Sequence, residues 1–168
     1  MTTVALTLNE IYDLAKKTLL ANGCDDPTAS ILSDLIKNAE RDGSVSHGLF
    51  RLPAYVTGLK SGKINGKGKP ELKKISPSVI KVEGNNCLAP VVLNVGLPEL
   101  AKAAKDNGVA VLAINNSHHM AAMWPETEKL AEEGLVAFAC TSYKPAVAPA
   151  GAIKQIGRAH VWTPVTDV

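Results

Sequence analysis

The sequence predicts an α/β protein in which an N-terminal helical region precedes a sheet domain. Three observations carry that expectation. Apolar residues recur at helical spacing over roughly the first sixty positions. A polar, Gly/Pro-punctuated stretch then changes the texture near Gly62. Beyond it, short apolar runs alternate with helical segments, the pattern of a sheet with crossover helices.

The elements follow in order. Thr7-Leu-Asn-Glu10 reads as a capping box opening a helix, with Ile11, Leu14, Ala15 and Thr18 on its inner stripe. Gly23 is its stop. Asp26-Pro27 opens a second helix, Asp26 as cap and Pro27 at the first position. Leu32, Leu35, Ile36 and Ala39 form its buried stripe, and Gly43 ends it. A third helix is expected from near Leu49 to about Ser61, with Leu52, Tyr55, Val56 and Leu59 inward and Pro53 in the first turn.

Residues 63–76 read as a connection, and the lysines between Lys60 and Lys74 as a solvated face. Val79–Val82 is expected as a strand ended by Gly84-Asn85-Asn86, and Leu97–Asp106 as a helix whose alanines suit close packing. Val109–Ile114 is expected as a buried strand, Trp124–Glu133 as a helix stopped by Gly134, and Leu135–Cys140 as a second buried strand. The expected organisation is a helical region over 1–62, a partial α/β domain over 63–157, and a non-native tail over 158–168.

Bulk composition narrows the function. A 46% hydrophobic content is enough for a core, and a net charge of +2 with mixed acids and bases lacks a nucleic-acid footprint. Cys24, Cys87 and Cys140 are far apart and odd in number. They suggest neither a disulfide framework nor a zinc site, and point to a reducing cytoplasm. No signal pattern or membrane-length apolar run is present, so no membrane partner is expected.

Chemistry concentrates between Asp42 and Arg51, Asp-Gly-Ser-Val-Ser-His-Gly-Leu-Phe-Arg. His47 can exchange a proton near neutral pH. Ser46 can hold the ring or a substrate oxygen. Gly48 permits close backbone approach, and Arg51 offers a fork that fits a carboxylate. Together they suit a small carboxylate-bearing substrate that gains or loses a proton, bound where a helix N-terminus favours an anion. The bland alternatives are a capping histidine, an N-cap serine and a surface arginine. Asp42 reads as structural, paired with Arg41 or Arg51. The loops Asn115–His119 and Thr141–Tyr143 follow strands, where α/β sheets place ligands. No Gly-x-Gly-x-x-Gly or P-loop occurs. His118 and His119 are adjacent, so they are poorly placed to share a metal, and Glu126 and Glu128 lie on a separate helix.

The Ser46-His47-Gly48-x-x-Arg51 run resembles the signature of the type-2 malate/L-lactate dehydrogenase family of NAD(P)-dependent oxidoreductases. The resemblance continues through Arg51-Leu-Pro-Ala-Tyr55, Leu59-Lys-Ser-Gly62, Asn116-Ser-His-His119, Ala146-Val-Ala-Pro149 and Gly151. His118-His119 followed by Met-Ala-Ala-Met-Trp is similar to the branch that reduces Δ1-piperideine-2-carboxylate and Δ1-pyrroline-2-carboxylate. The resemblance implies a non-Rossmann cofactor domain, NADPH or NADH as cofactor, and a homodimer at full length. It implies His47 as general acid, with Ser46 orienting it or the substrate, and Arg51 on the substrate carboxylate. It places His119 at the nicotinamide or substrate pocket as a further acid/base group, and makes His118 the mark of the imino-acid branch. Tyr143 stands where many members have a cofactor-contacting serine, and Ala121 where many have glycine.

The last residues, Ile156 to Thr166, resemble a translated sequencing adapter, and the family pattern breaks at Arg158. The expected chain is therefore truncated at its C-terminus. The expected function is hydride transfer between NAD(P)H and a small 2-keto, 2-hydroxy or cyclic 2-imino acid. Alternatives are a malate-, lactate- or ureidoglycolate-type dehydrogenase, an inactive fragment with an exposed sheet edge, and a His-based metal hydrolase.

Overall fold

The computed structural model describes residues 4–118 and 122–141. The chain divides into two compact units, residues 1–122 and 123–168. His119, Tyr143, Ala121, the later family-like stretches from Ala146 on and the adapter-like tail lie outside the described residues.

The first unit begins with two packed helices. Helix α1, Leu8–Ala21, opens on the expected capping box. The Thr7 N–H donates to Glu10 Oε2 at 2.8 Å and the Glu10 N–H to Thr7 Oγ1 at 3.3 Å. Those bonds stabilise the charged form and lower the Glu10 pKa. Ile11, Ala15 and Leu19 are the buried stripe, whereas Leu14, expected inward, is exposed. The i, i+4, i+8 row fills the contact, so a residue three positions from Ile11 falls on its edge.

Helix α2, Asp26–Arg41, is capped one residue earlier than expected. Asp25 accepts the Thr28 N–H at 3.0 Å, and Pro27 sits in the first turn. Two adjacent aspartates made the register ambiguous from sequence. Leu32, Ile36 and Ala39 are buried, and the core joins Leu32 and Ile36 to Ala15, Leu19, Leu52, Tyr55, Ile64 and Leu88. Helix α3, Leu52–Lys60, starts three residues later than expected, because Leu49–Arg51 forms a tight 3-10 turn instead.

The segment after Gly62 is more ordered than a solvated connection. Ile64 is buried in the helical core. The Asp25 N–H donates to Gly66 O at 3.0 Å and the Asn65 N–H to Asn86 O at 2.9 Å. A Cβ on Gly66 would meet Leu59, the Gly23 carbonyl and Cys24, so only glycine fits. Strand β1, Glu71–Ser76, then pairs antiparallel with β2, Val79–Glu83. It corrects the reading of 63–76 as connection. Its lysines face out and only Leu72 is half-buried, as an edge strand requires, and that charge hides the strand pattern.

Helix α4, Ala89–Asn107, is longer than the expected Leu97–Asp106. Pro98 lies inside it and the β-branched pair Val91-Val92 near its start, and both weaken a helical reading. Strand β3, Val111–Asn115, pairs parallel with β2, giving the order β1-β2-β3. A Cβ on Gly96 of α4 would come within 2.8 Å of Leu112 and 3.3 Å of Val82, so helix and sheet meet there in close contact. Leu112 and Ile114 pack against Val82, Cys87, Val91 and Val92. The other face of β3 is open among the described residues, with Val111 56% exposed. The strand is thus covered on one face, not buried on both as expected.

In the second unit, helix α5, Trp124–Glu132, ends with Gly134 in the left-handed region at φ 77°. Glu126 is buried there, and burial pushes its carboxyl up to about 7. Leu135–Cys140 forms no strand, and Val136 and Phe138 are exposed. An apolar run becomes a strand only with a partner to pair with, and none is found among the described residues. Among the described residues, no helix is long and apolar enough to cross a membrane.

Candidate active site

Ser46, His47 and Arg51 come together in one turn-rich loop between α2 and α3. Gly43, at φ 70°, ends α2. The chain then folds back: the Ser44 N–H donates to Ala39 O at 2.8 Å and the His47 N–H to Ser44 O at 2.8 Å. The 3-10 turn Val45–His47 is followed through Gly48 by the second turn, Leu49–Arg51.

His47 is half-buried and two hydroxyls lie on the same ring nitrogen. Nδ1 is 2.9 Å from Ser46 Oγ and 3.3 Å from Ser44 Oγ. Neither contact uses Nε2. Burial lowers the His47 pKa, and the nearby Arg51 charge lowers it further. Both influences disfavour the imidazolium relative to a free histidine.

Arg51 folds back over the same loop, its Nε donating to Ser46 O at 2.8 Å. Among the described residues no carboxylate pairs with its guanidinium. One turn on, Tyr55 is buried, and burial pushes its phenol up to about 12 against the opposing influence of Arg51. Asp42 has the structural role expected of it, bound by Arg41 through Nε at 2.7 Å and Nη2 at 3.1 Å.

Two participants were missed in the sequence. Ser44 is one, and its only sequence signal is a hydroxyl three residues before the histidine. Glu40 is the other. Its Oε1 accepts the Leu49 N–H at 2.7 Å, nine residues along the chain. Gly48 is buried beneath it, and an added Cβ would overlap the Glu40 carboxyl. The amide at this turn, expected to favour a substrate anion, is thus already bonded to the protein's own carboxylate.

His118 is elsewhere, on the loop after β3, with its side chain exposed. Main-chain hydrogen bonds hold that loop among the described residues. The Gly84 N–H donates to Asn115 O and the Asn86 N–H to Asn116 O, each at 2.8 Å. The His118 N–H donates to Cys87 O at 2.8 Å, and His118 O accepts the Ala89 N–H at 3.1 Å. Leu88, bridged to His118, packs into the same core as Leu52 and Tyr55. No cluster of three or more His, Cys, Asp or Glu among the described residues could hold a metal ion.

A family model described as malate/L-lactate dehydrogenase matches residues 6–157. The chain belongs to that family. The match ends where the adapter-like string takes over. The Δ1-pyrroline-2-carboxylate/Δ1-piperideine-2-carboxylate reductase of Pseudomonas putida is 37% identical over 155 residues, 92% of this chain and 46% of the relative. The crystal structure of Δ1-piperideine-2-carboxylate reductase from Pseudomonas syringae pv. tomato is similar with a TM-score of 0.85 and 35% identity. The match covers 92% of this chain and 47% of that one. Malate dehydrogenase from Pyrococcus horikoshii OT3 follows the same fold at TM-score 0.83 and 29% identity, over 91% and 44%. This member of the malate/L-lactate dehydrogenase family spans about half the length of those relatives.

The family implies a nicotinamide cofactor. The turn after β2 is not built to receive its phosphates. Gly84, the glycine at the carboxyl end of β2, faces the Asn115 and Asn116 carbonyls at 2.9 Å from where its Cβ would be. Carbonyls repel a phosphate, which needs N–H donors. What these residues offer is a proton on His47 and a cation on Arg51.

Proposed function

We propose that this chain carries the carboxylate-binding and proton-handling half of an NAD(P)H-dependent oxidoreductase acting on a small cyclic 2-imino acid. Δ1-piperideine-2-carboxylate or Δ1-pyrroline-2-carboxylate is the preferred substrate. The observation that carries the reading is His47 held at Nδ1 by Ser46 at 2.9 Å, with the Arg51 guanidinium anchored on the same loop. With Nδ1 on the serine hydroxyls, Nε2 is the nitrogen we assign to proton transfer. Reduction of a C=N bond adds hydride at carbon and needs one proton at nitrogen, which His47 would take up from solvent and deliver as imidazolium, returning to the neutral ring. Arg51 would hold the substrate carboxylate bidentately.

We assign these roles to residues 1–62 and a partial cofactor and substrate domain to residues 63–157. His119 and Tyr143 are our candidates for the nicotinamide side, with His118 at the substrate rim. NADPH and NADH both remain candidates, as do a cytoplasmic setting and a homodimer at full length. Residues 158–168 take no part. The same His47 and Arg51 pair would serve a 2-oxo acid, and the similarity to a malate dehydrogenase structure keeps that second reading.

The test has two arms. Binding of Δ1-piperideine-2-carboxylate, oxaloacetate and pyruvate to this chain is followed by NMR, and turnover by NADPH and NADH absorbance. Arg51→Ala is expected to weaken carboxylate binding about 10-fold or more, the worth of a charge-assisted pair. His47→Ala is expected to lower turnover about 10²–10⁴-fold with little change in binding. A folded chain that binds none of the three acids would overturn the reading.

A further inference from the structure

Glu40 sits where a carboxylate is electrostatically misplaced. It is the second-last residue of α2, at the negative end of that helix's dipole. Its side chain leaves that helix end and caps a different one. Oε1 accepts the Leu49 N–H at 2.7 Å, at the opening of the 3-10 turn that leads into α3, where negative charge is favoured. The approach requires Gly48: a Cβ there would lie 2.8 Å from Glu40 Cγ and would overlap the carboxyl beyond it. Gly48 is the residue after His47, and Leu49 the one after that. Ser44 and Ser46 hold the His47 ring at Nδ1, and Glu40 holds the backbone just past it.

We propose that Glu40 is the positioning residue for His47: its carboxylate, seated over the bare Cα of Gly48 and bonded to the Leu49 amide, fixes the pair of 3-10 turns that aim the imidazole. Its importance for turnover rests on the proton-donor reading of His47, but the positioning itself does not. Gly48 thereby gains a reason beyond backbone freedom, since it is the socket for this side chain.

The test needs no substrate, so its failure is separable from failure of the functional reading. Ring ¹⁵N shifts of His47, assigned with His47→Ala, report tautomer and environment, and hydrogen exchange reports the Leu49 amide. In Glu40→Ala, Leu49 exchange is expected to quicken about 10-fold, the loss of one charge-assisted bond, and the His47 ring signals to move. Glu40→Gln keeps an oxygen acceptor of the same reach and is expected to restore both. If Glu40→Ala lowers the melting temperature yet leaves the His47 ring and Leu49 protection unchanged, Glu40 is only structural and the proposal fails. It fails too if Glu40→Gln behaves as Glu40→Ala does. Gly48→Ala, which keeps the carboxylate but closes its socket, is expected to reproduce the Glu40→Ala signals. An unchanged His47 ring in folded Gly48→Ala would also overturn the proposal, even if Glu40→Ala does not fold.

Discussion

The His47 loop and the His118 loop are built by different means. In the first, side chains of Ser44, Ser46, Glu40 and Arg51 each add a bond to the main-chain turns. Main chain makes the second, through the Gly84, Asn86, Cys87 and Ala89 pairings. The difference teaches where residue identity matters. In the first loop a substitution removes a specific partner. In the second, a substitution matters where backbones touch or where φ is positive.

The sharpest way to break this contrast is a pair of glycine variants. Gly84→Ala forces a methyl against two carbonyl oxygens that cannot swing away. It is expected to cost about 3 kcal/mol in urea unfolding. Gly48→Ala meets the end of a flexible side chain, which can rotate out at the expense of one hydrogen bond, about 1 kcal/mol. Equal costs would show that both loops are held by the same means.

A second variant probes backbone strain at the main-chain loop. Asn116 has φ 49°, a left-handed conformation asparagine tolerates better than most residues. Asn116→Ala is expected to destabilise by about 1 kcal/mol, measured by the same unfolding curves, with the His47 ring signals unmoved.

Acidity gives a smaller, directional effect. The folded pKa of His47 lies below its ordinary value, so the unfolded chain binds the extra proton more readily. The stability from this group is full above the unfolded pKa, near 6.5, and is lost as pH falls through that value toward the lower folded one. His47→Gln is therefore expected to flatten the decline of unfolding free energy between neutral and mildly acidic pH. A decline identical in both proteins would remove His47 as its source. Smallest of all, Asp42→Ala breaks the partly exposed Arg41 pair, and a change below about 0.5 kcal/mol is expected by thermal melting.

Much of this architecture was legible in the sequence. Caps and stops carried the helices, because Thr7 with Glu10 and the Asp-Asp-Pro run at 25–27 act locally, although the cap falls on Asp25 and not on Asp26. The cluster of Ser46, His47 and Arg51 was legible because eight consecutive residues closed on themselves. Glu40 was not, because its bond spans nine residues and is made at a glycine whose role depends on the fold. Strands fared worse. β1 is hidden by its lysines, and Leu135–Cys140 has the composition of a strand without a partner to pair with. Helix α4 began earlier than its pattern, because packing of Val91 and Val92 on the sheet overrides their poor helix propensity.

The stretch from Ile64 to Lys69 has a mechanical consequence. Its Gly66 carbonyl takes the amide of Asp25, the cap that opens α2, and its Asn65 amide reaches the carbonyl of Asn86 beside the sheet end. Asn85 Nδ2 grips Lys69 O at 2.8 Å from the other side. A single strap is thus riveted to the helix pair through Gly66 and to the sheet end through Asn65 and Lys69 on either side of it. Slack in either rivet would be felt as misalignment at the other, as a turnbuckle keeps two beams at fixed spacing.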